Sequence, residues 1–163
     1  MTDTASTAYS SIERSTVIRS GPEPIVDVLA DFTRWPEWSP WEGTDAETKR
    51  TYAGTQGSVG AHYTWEGNRK AGAGSMVVTR MTPGTVEVDL TFSRPFKASN
   101  RVIFDLTPVA DASSDGATKV VWTMLSPKTT RSRLMGIFLN IDKLVGGDFD
   151  KGLVALKALV ERH

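Results

Sequence analysis

The feature that most constrains the fold is a change in the spacing of apolar residues along the chain. Between about residue 44 and residue 125, apolar and mostly polar side chains alternate, as in residues 86–92. After Pro127 the apolar residues follow a helical spacing, from Leu134 to Val160. A period of two predicts strands with one covered face, and a helical period predicts an amphipathic helix. We therefore expect an α+β fold in which an antiparallel sheet covers one long C-terminal helix.

Turn sequences divide the alternating region into about six strands, and residues 12–19 form one more strand before it. Pro83-Gly84 is an example of such a turn. Two prolines after Gly21 predict the first turn of a short helix over residues 23–32. The segment that holds Trp35, Trp38 and Trp41 is broken by prolines, so we expect a second short helix there.

The terminal helix is expected to span about 30 residues, or ~45 Å, which is long enough to cross an entire sheet. Gly146 and Gly147 lie midway along it, with Gly136 and Gly152 on either side. Glycine disfavours a helix by up to ~1 kcal/mol relative to alanine. We therefore expect these glycines to permit a kink or a close approach of the sheet.

The length of 163 residues suits one domain. We expect a disordered lead over residues 1–10 and a single domain over residues 11–163. The charges balance, with 19 basic and 19 acidic residues, which gives no electrostatic reason to expect nucleic acid or an anionic membrane as partner. No apolar run approaches the ~20 residues of a membrane span, and the N-terminus does not have the pattern of a signal peptide. These features predict a cytoplasmic protein without stable membrane insertion.

Nothing in the sequence indicates a metal or a cofactor. The chain has no cysteine, and His62 is its one histidine besides the C-terminal His163. One internal histidine makes a transition-metal site or a Ser/His/Asp arrangement improbable. Phosphate-binding and dinucleotide-binding glycine motifs are also missing. We therefore expect neither a metal nor a cofactor.

Three segments stand out together: Phe-Thr-Arg-Trp-Pro-Glu-Trp-Ser-Pro-Trp-Glu at 32–42, Tyr-Thr-Trp-Glu-Gly at 63–67, and the helical stretch 134–153. With them the chain resembles the helix-grip superfamily, also called SRPBCC or START-like. Within it, the chain is most similar to small bacterial proteins of the polyketide cyclase/dehydrase type. The resemblance implies a curved antiparallel sheet of about seven strands wrapped round the long C-terminal helix, with two short helices after the first strand. It also implies an internal cavity that binds a small, largely apolar molecule, and it implies no shared catalytic motif.

In such a fold, the apolar faces of the sheet and the helix point toward the cavity. The side chains that we expect to bind the ligand come from the tryptophan segment, the sheet and the helix: Trp41, Trp65, Met76, Val88, Leu90, Phe104, Trp122, Met124, Phe138, Asp142 and Val145. Aromatic and methionine side chains adapt to varied ligand shapes. The alternative is that these side chains fill the core at native density.

Asp142 is the polar residue of greatest interest because its spacing places it on or near the apolar stripe. A buried carboxylate needs a partner or a raised pKa, and Arg80 or Arg101 could supply the partner if directed inward. In that case Asp142 would orient a ligand hydroxyl or act as a general acid or base. Otherwise it is a carboxylate at the edge of the stripe that pairs with a surface base.

Three classes of function follow from these expectations. The leading hypothesis is binding of a lipid, polyketide or aromatic metabolite without catalysis. The second is a polyketide-type cyclase or dehydratase that uses the same cavity, with Asp142, an inward arginine or Tyr63 as acid or base. The third is a protein-interaction module similar to the activator of the heat-shock chaperone, which exposed rings of Trp35 and Trp38 would favour.

Overall fold

The computed structural model describes residues 9–40, 47–68, 72–94, 97–110, 116–127 and 138–162, and it does not describe the side chains of residues 138–145. Its elements in chain order are β1 (Tyr9–Ile18), α1 (Pro22–Ala30), a 3-10 helix (Phe32–Glu37), β2 (Lys49–Ala53), β3 (His62–Glu66), β4 (Ala73–Thr82), β5 (Thr85–Arg94), β6 (Ala98–Val109), β7 (Ala117–Pro127) and α2 (Phe138–Glu161).

The seven strands form one antiparallel sheet in the order β1-β7-β6-β5-β4-β3-β2. The sheet is curved, and with the C-terminal helix it forms the expected α+β helix-grip fold. Strands that follow each other along the chain are neighbours from β2 to β7. The predicted turn Pro83-Gly84 joins β4 to β5, between the paired residues Thr82 and Thr85.

β1 begins three residues earlier than the sequence suggested. Tyr9 and Ser10, which we had assigned to a disordered lead, pair with Pro127 and Ser126 of β7. Ser10 and Ser11 separate Tyr9 from the β-branched residues and carry little strand signal, and the long partner strand extends the ladder beyond the apolar pattern. Residues 1–8 of the expected lead lie outside the described residues.

The sheet has one face toward the helices, here called the inner face, and one outer face. The inner face carries the alternating apolar set as predicted, and its best-buried members on β5, β6 and β7 are Val86, Val88, Leu90, Val102, Phe104, Leu106, Val120, Trp122 and Met124. The outer face is polar, with exposed residues such as Asp89 and Arg101 in an ion pair of 3.8 Å.

The 3-10 helix is fixed to its surroundings by hydrogen bonds from both sides. The Asp31 carboxylate accepts a bond of 3.0 Å from the backbone N–H of Thr33, which caps the first turn. Gln56, in the loop between β2 and β3, accepts from the N–H of Phe32 at 3.0 Å and donates to the carbonyl groups of Ala53 and His62. The tryptophan segment is thus held to both α1 and the β2–β3 loop.

α2 runs in the same direction as β1 and packs against it. Asp150 pairs with Arg14, Lys157 donates to the carbonyl oxygen of Val17, and Glu161 accepts from the backbone N–H of Arg19. The described helix has 24 residues, and the earlier part of the expected 30-residue helix lies outside the described residues.

Two glycines of α2 permit the close approach that the sequence suggested. A Cβ at Gly146 would meet the guanidinium group of Arg14, which reaches across from β1. A Cβ at Gly152 would lie 2.9 Å from Cδ of Pro40 and 2.9 Å from Cζ3 of Trp122. The position of Gly147 is open, with no neighbouring atom within 4 Å of a Cβ added there.

Candidate ligand-binding site

Five aromatic rings, here called the aromatic cluster, join the 3-10 helix, the sheet and α2. They are Trp35, Trp38, Phe104, Trp122 and Phe149, and each is at most 2% exposed. Trp38 contacts Trp122 edge to face at 5.5 Å, and Trp122 stacks on Phe149 at 4.0 Å with 7° between the ring planes. Because the last two rings touch, no ligand fits between the sheet and the helix at this level.

Two predicted wall residues, Phe104 and Trp122, therefore lie where the protein fills its own interior. They face each other across β6 and β7, and their rings are 5.2 Å apart. This row of the inner face, which continues to Arg14 on β1 and Val86 on β5, is here called the central row.

The apolar inner face continues beyond the central row toward the first half of α2. The other predicted sheet residues lie here: Met124 and Val88 in the next row, Leu90 and Met76 in the row after it, and Trp65 at the far end. Met76, Val88, Leu90 and Met124 are all buried. The sheet therefore brings together five of the predicted residues on one surface that excludes the central row.

The direction of α2 indicates which part of the helix faces this surface. Asp150 is level with Arg14, so the helix residues that precede Gly146 continue toward Ile12 and Ser10 at the start of β1. At a rise of about 1.5 Å per residue, residues 138–145 extend about 12 Å in that direction. Phe138, Asp142 and Val145 belong to this part of the helix, whose side chains the structure does not describe. Trp41 lies outside the described residues.

An edge-to-face pair of rings lies at the far end of this surface. Trp65 and Phe92 are half-buried, and their rings are 5.6 Å apart at 87°. Gly74 lies beneath Trp65, and a Cβ there would be 2.6 Å from Cη2 of the indole and still closer to the carbonyl oxygen of Thr91. Glycine thus allows the indole to lie directly on β4, where a larger residue would lift it.

A polar pair interrupts the apolar surface on the side of β6 and β7. Ser126 donates a hydrogen bond of 2.7 Å to Oδ1 of Asn100, and Ser10 approaches the carbonyl oxygen of Ser126 at 3.4 Å. Asn100 faces Leu90 across the ladder, so the row changes from polar to apolar between β6 and β5. Such a row suits a ligand with one polar and one apolar part. We did not predict this pair from the sequence, although Asn100 and Ser126 lie two residues from Val102 and Met124 and therefore on the same inner face.

The inward-facing arginine is not one of those we expected. Arg80 and Arg101 are exposed, and Arg101 pairs with Asp89 on the outer face, so neither is an inward partner for Asp142. Arg14 faces the helix instead, where its Nε lies 3.6 Å from the Asp150 carboxylate. Arg14 lies two residues after Ile12 on the same face of β1, and this period of two was the signal that could have identified it.

The expectation that Trp35 and Trp38 offer a surface to a protein partner is wrong for these two residues. Each is 2% exposed, because the 3-10 helix turns both rings onto Phe104. Within the part of the chain that the structure describes, no helix is long and apolar enough to cross a membrane.

Comparison with known proteins places this geometry in a family. Residues 10–161 match the family described as polyketide cyclase/dehydrase and lipid transport. No curated protein sequence matches the chain.

Several solved structures share the fold at low sequence identity. The aromatase/cyclase Zhui from Streptomyces sp. R1128 is 11% identical, with 95% of each chain covered and a TM-score of 0.65. A Thermobifida fusca protein is 18% identical, with 93% of each chain covered and a TM-score of 0.64. The Aha1 dimer from Colwellia psychrerythraea is 18% identical, with 93% of this chain and 96% of that chain covered and a TM-score of 0.60. The family match, which spans nearly the whole chain, and the shared helix-grip fold together show that this chain belongs to the polyketide cyclase/dehydrase and lipid transport family of the SRPBCC superfamily.

Proposed function

We propose that the protein binds a small, largely apolar molecule between the inner face of the sheet and the first half of α2. The observation that carries the proposal is the division of the inner face by the contact of Trp122 with Phe149. On one side of that contact the protein packs against itself. On the other side, the buried apolar surface continues for three more rows and ends at the half-buried Trp65 and Phe92.

The chemistry of this surface favours an amphipathic or aromatic ligand. Met76, Leu90 and Met124 supply adaptable apolar contacts, and the pair of Asn100 and Ser126 supplies polar atoms on one side. Lipids, polyketides and aromatic metabolites all combine such parts. The family description, which names both polyketide chemistry and lipid transport, supports this class of ligand.

We place binding before catalysis because binding needs only the shape and the apolar surface. A cyclase or dehydratase would also need an acid or base in contact with the ligand. The sequence offers Asp142 for this role, and its position in the first half of α2 makes it the residue to substitute if turnover is found. A protein-interaction role would have been favoured by exposed rings of Trp35 and Trp38, and both are buried.

The test compares two substitutions of the same kind on opposite faces of β5. Leu90→Trp fills the proposed space, whereas Thr91→Trp adds the same ring to the exposed outer face one residue away. N-phenyl-1-naphthylamine, whose fluorescence rises in apolar surroundings, serves as the probe. We expect the wild type and Thr91→Trp to bind it, and Leu90→Trp to lose at least about tenfold in affinity.

Each outcome decides the proposal. Equal binding by both variants, or no binding by the wild type, would contradict a site on this face. Leu90→Phe provides a smaller filling substitution, in case the tryptophan prevents folding. Native mass spectrometry of the purified wild type would additionally show the mass of any ligand that co-purifies.

A further inference from the structure

Trp35 and Trp38 are equally buried, but the hydrogen bonding of their indole N–H groups differs. Trp35 donates a hydrogen bond of 3.1 Å from Nε1 to the carbonyl oxygen of Leu29. Trp38 is equally buried, at 2% exposure, but within the described part of the chain its Nε1–H reaches no acceptor. One short segment thus holds one satisfied and one unsatisfied indole.

The aromatic side chains in contact with the Trp38 ring have no acceptor to offer. They belong to Trp35 at 4.7 Å, Phe104 at 6.2 Å and Trp122 at 5.5 Å. Tryptophan is a donor only, and phenylalanine has no polar atom. A buried donor without a partner loses its hydration without compensation, and most buried polar atoms in proteins do have a partner.

The position of Trp38 relates this donor to the proposed site. Phe104 and Trp122 belong to the central row, and Met124, two residues along β7 from Trp122, begins the surface that we assign to the ligand. Trp38 therefore lies against the central row, which is one row away from the surface that we assign to the ligand.

We propose that Nε1–H of Trp38 donates a hydrogen bond to a neutral acceptor on the bound ligand, which makes the ligand an apolar molecule that carries a carbonyl group. This inference rests on the proposed function and narrows its class of ligand. The acceptor is neutral because the aromatic rings against Trp38 supply no cation, and burying a carboxylate in apolar surroundings without a cationic partner is strongly unfavourable.

The test uses two probes of nearly the same shape, 2-acetylnaphthalene with a carbonyl and 2-ethylnaphthalene without one. We expect the wild type to bind the ketone about three- to tenfold more tightly than the hydrocarbon, as one net hydrogen bond would give. Trp38→Phe keeps an aromatic ring but removes the donor, so it should bind both probes alike. Trp35→Phe is the matched control, because its donor is already used by Leu29, and it should keep the preference for the ketone.

A second measurement observes the donor directly in the wild type. In a ¹⁵N-labelled sample, the indole N–H signal of Trp38, assigned through correlations with its own backbone amide, should move downfield on adding the ketone and move much less with the hydrocarbon. This measurement remains decisive if Trp38→Phe fails to fold.

The outcomes separate the two proposals. Three results would each overturn this inference without contradicting the proposed binding site. They are equal affinity of the wild type for both probes, an unchanged preference for the ketone in Trp38→Phe, and an indole signal that does not shift when the ketone is added. The last result would assign the donor to a bound water. Failure of both probes to bind would overturn the inference together with the proposed function.

Discussion

The rings of Trp122 and Phe149 lie face to face, with 4.0 Å between their centroids and 7° between their planes. Gly152 follows Phe149 by one helical turn, so it lies on the same side of α2, beneath Pro40 and Trp122. This stretch of α2 therefore touches both the sheet and the tryptophan segment. The spacing between the sheet and the helix is set here, and the proposed site depends on that spacing.

Replacing Gly152 by alanine should destabilise the protein. The new Cβ would lie 2.9 Å from both Cδ of Pro40 and Cζ3 of the fully buried Trp122, and neither ring can move aside easily. We expect a loss of about 1–3 kcal/mol in the free energy of unfolding, measured with urea. Gly147→Ala is the control, because nothing lies within 4 Å of its Cβ, and it should stabilise by up to ~1 kcal/mol. Equal stability of the two variants would mean that the helix does not pack closely at Gly152.

Gly146→Ala should have an effect that depends on Arg14. In the wild type, the new methyl group would displace the guanidinium group and weaken its ion pair with Asp150, which offsets the gain in helix propensity. In an Arg14→Ala background the space is free, and Gly146→Ala should stabilise by up to ~1 kcal/mol. Urea unfolding of the four proteins gives the coupling between the two positions. Purely additive effects would show that Arg14 does not occupy that space in solution.

Substituting Gln56 should loosen the tryptophan segment. Its side chain joins the N–H of Phe32 to the carbonyl groups of Ala53 and His62, so Gln56→Ala leaves a part-buried donor without its partner. We expect a loss of about 1–2 kcal/mol in stability and a weaker near-ultraviolet circular dichroism signal from the tryptophans.

Gln56→Glu tests the same bonds by charge. It keeps an acceptor for Phe32 but turns a carboxylate toward two carbonyl oxygens, so it should destabilise at neutral pH at least as much as alanine does. Substitution of the adjacent, exposed Thr55 by alanine is the control and should have little effect. Wild-type stability in both Gln56 variants would rule out a role for this side chain.

Glu161 should make the stability depend on acidity. The hydrogen bond from Lys157 and that from the backbone N–H of Arg19 hold the pKa of the Glu161 carboxyl group below its ordinary value of 4.5. A pKa that is lower in the folded than in the unfolded state stabilises the folded protein. This stabilisation is fully present above pH 4.5 and is lost as the pH falls through the lowered pKa.

Glu161→Gln should therefore be less stable than the wild type at neutral pH, and the difference should shrink in acid well below pH 4.5. Urea midpoints across this range provide the measurement. Glu13→Gln, which removes an exposed carboxylate from the outer face of β1, controls for the loss of one surface charge. A difference that stays constant with pH would exclude the stated cause.

Much of the fold could be predicted because the covered face of a sheet imposes a period of two. Residues 86–92 and 120–124 show that period, and the strands that contain them lie where it indicated. Arg14, Asn100 and Ser126 are harder to recognise, because a polar residue at an inward position looks like a break in the pattern. Gln56 could not be found at all, since it lies in an irregular loop and its three partners come from the 3-10 helix, β2 and β3.

The candidate site was predicted as one set of residues, and we propose that the contact between α2 and the sheet divides it. Trp122 and Met124 lie on the same face of β7, and the structure shows Trp122 stacked on Phe149 of α2. The period of a strand gives the face on which a residue lies, and it contains no information about what covers that face. Only the position of α2 across the sheet distinguishes the two.

The sequence by itself determined that an antiparallel sheet with one apolar face would cover a long terminal helix, because the spacing of apolar residues follows the geometry of each element. The tertiary structure alone decided that Trp35 and Trp38 turn inward, that Arg101 faces outward while Arg14 faces the helix, and where the interior is filled. These outcomes depend on contacts between segments far apart in the chain, such as Pro40 and Trp122 on Gly152, and local spacing does not encode such contacts.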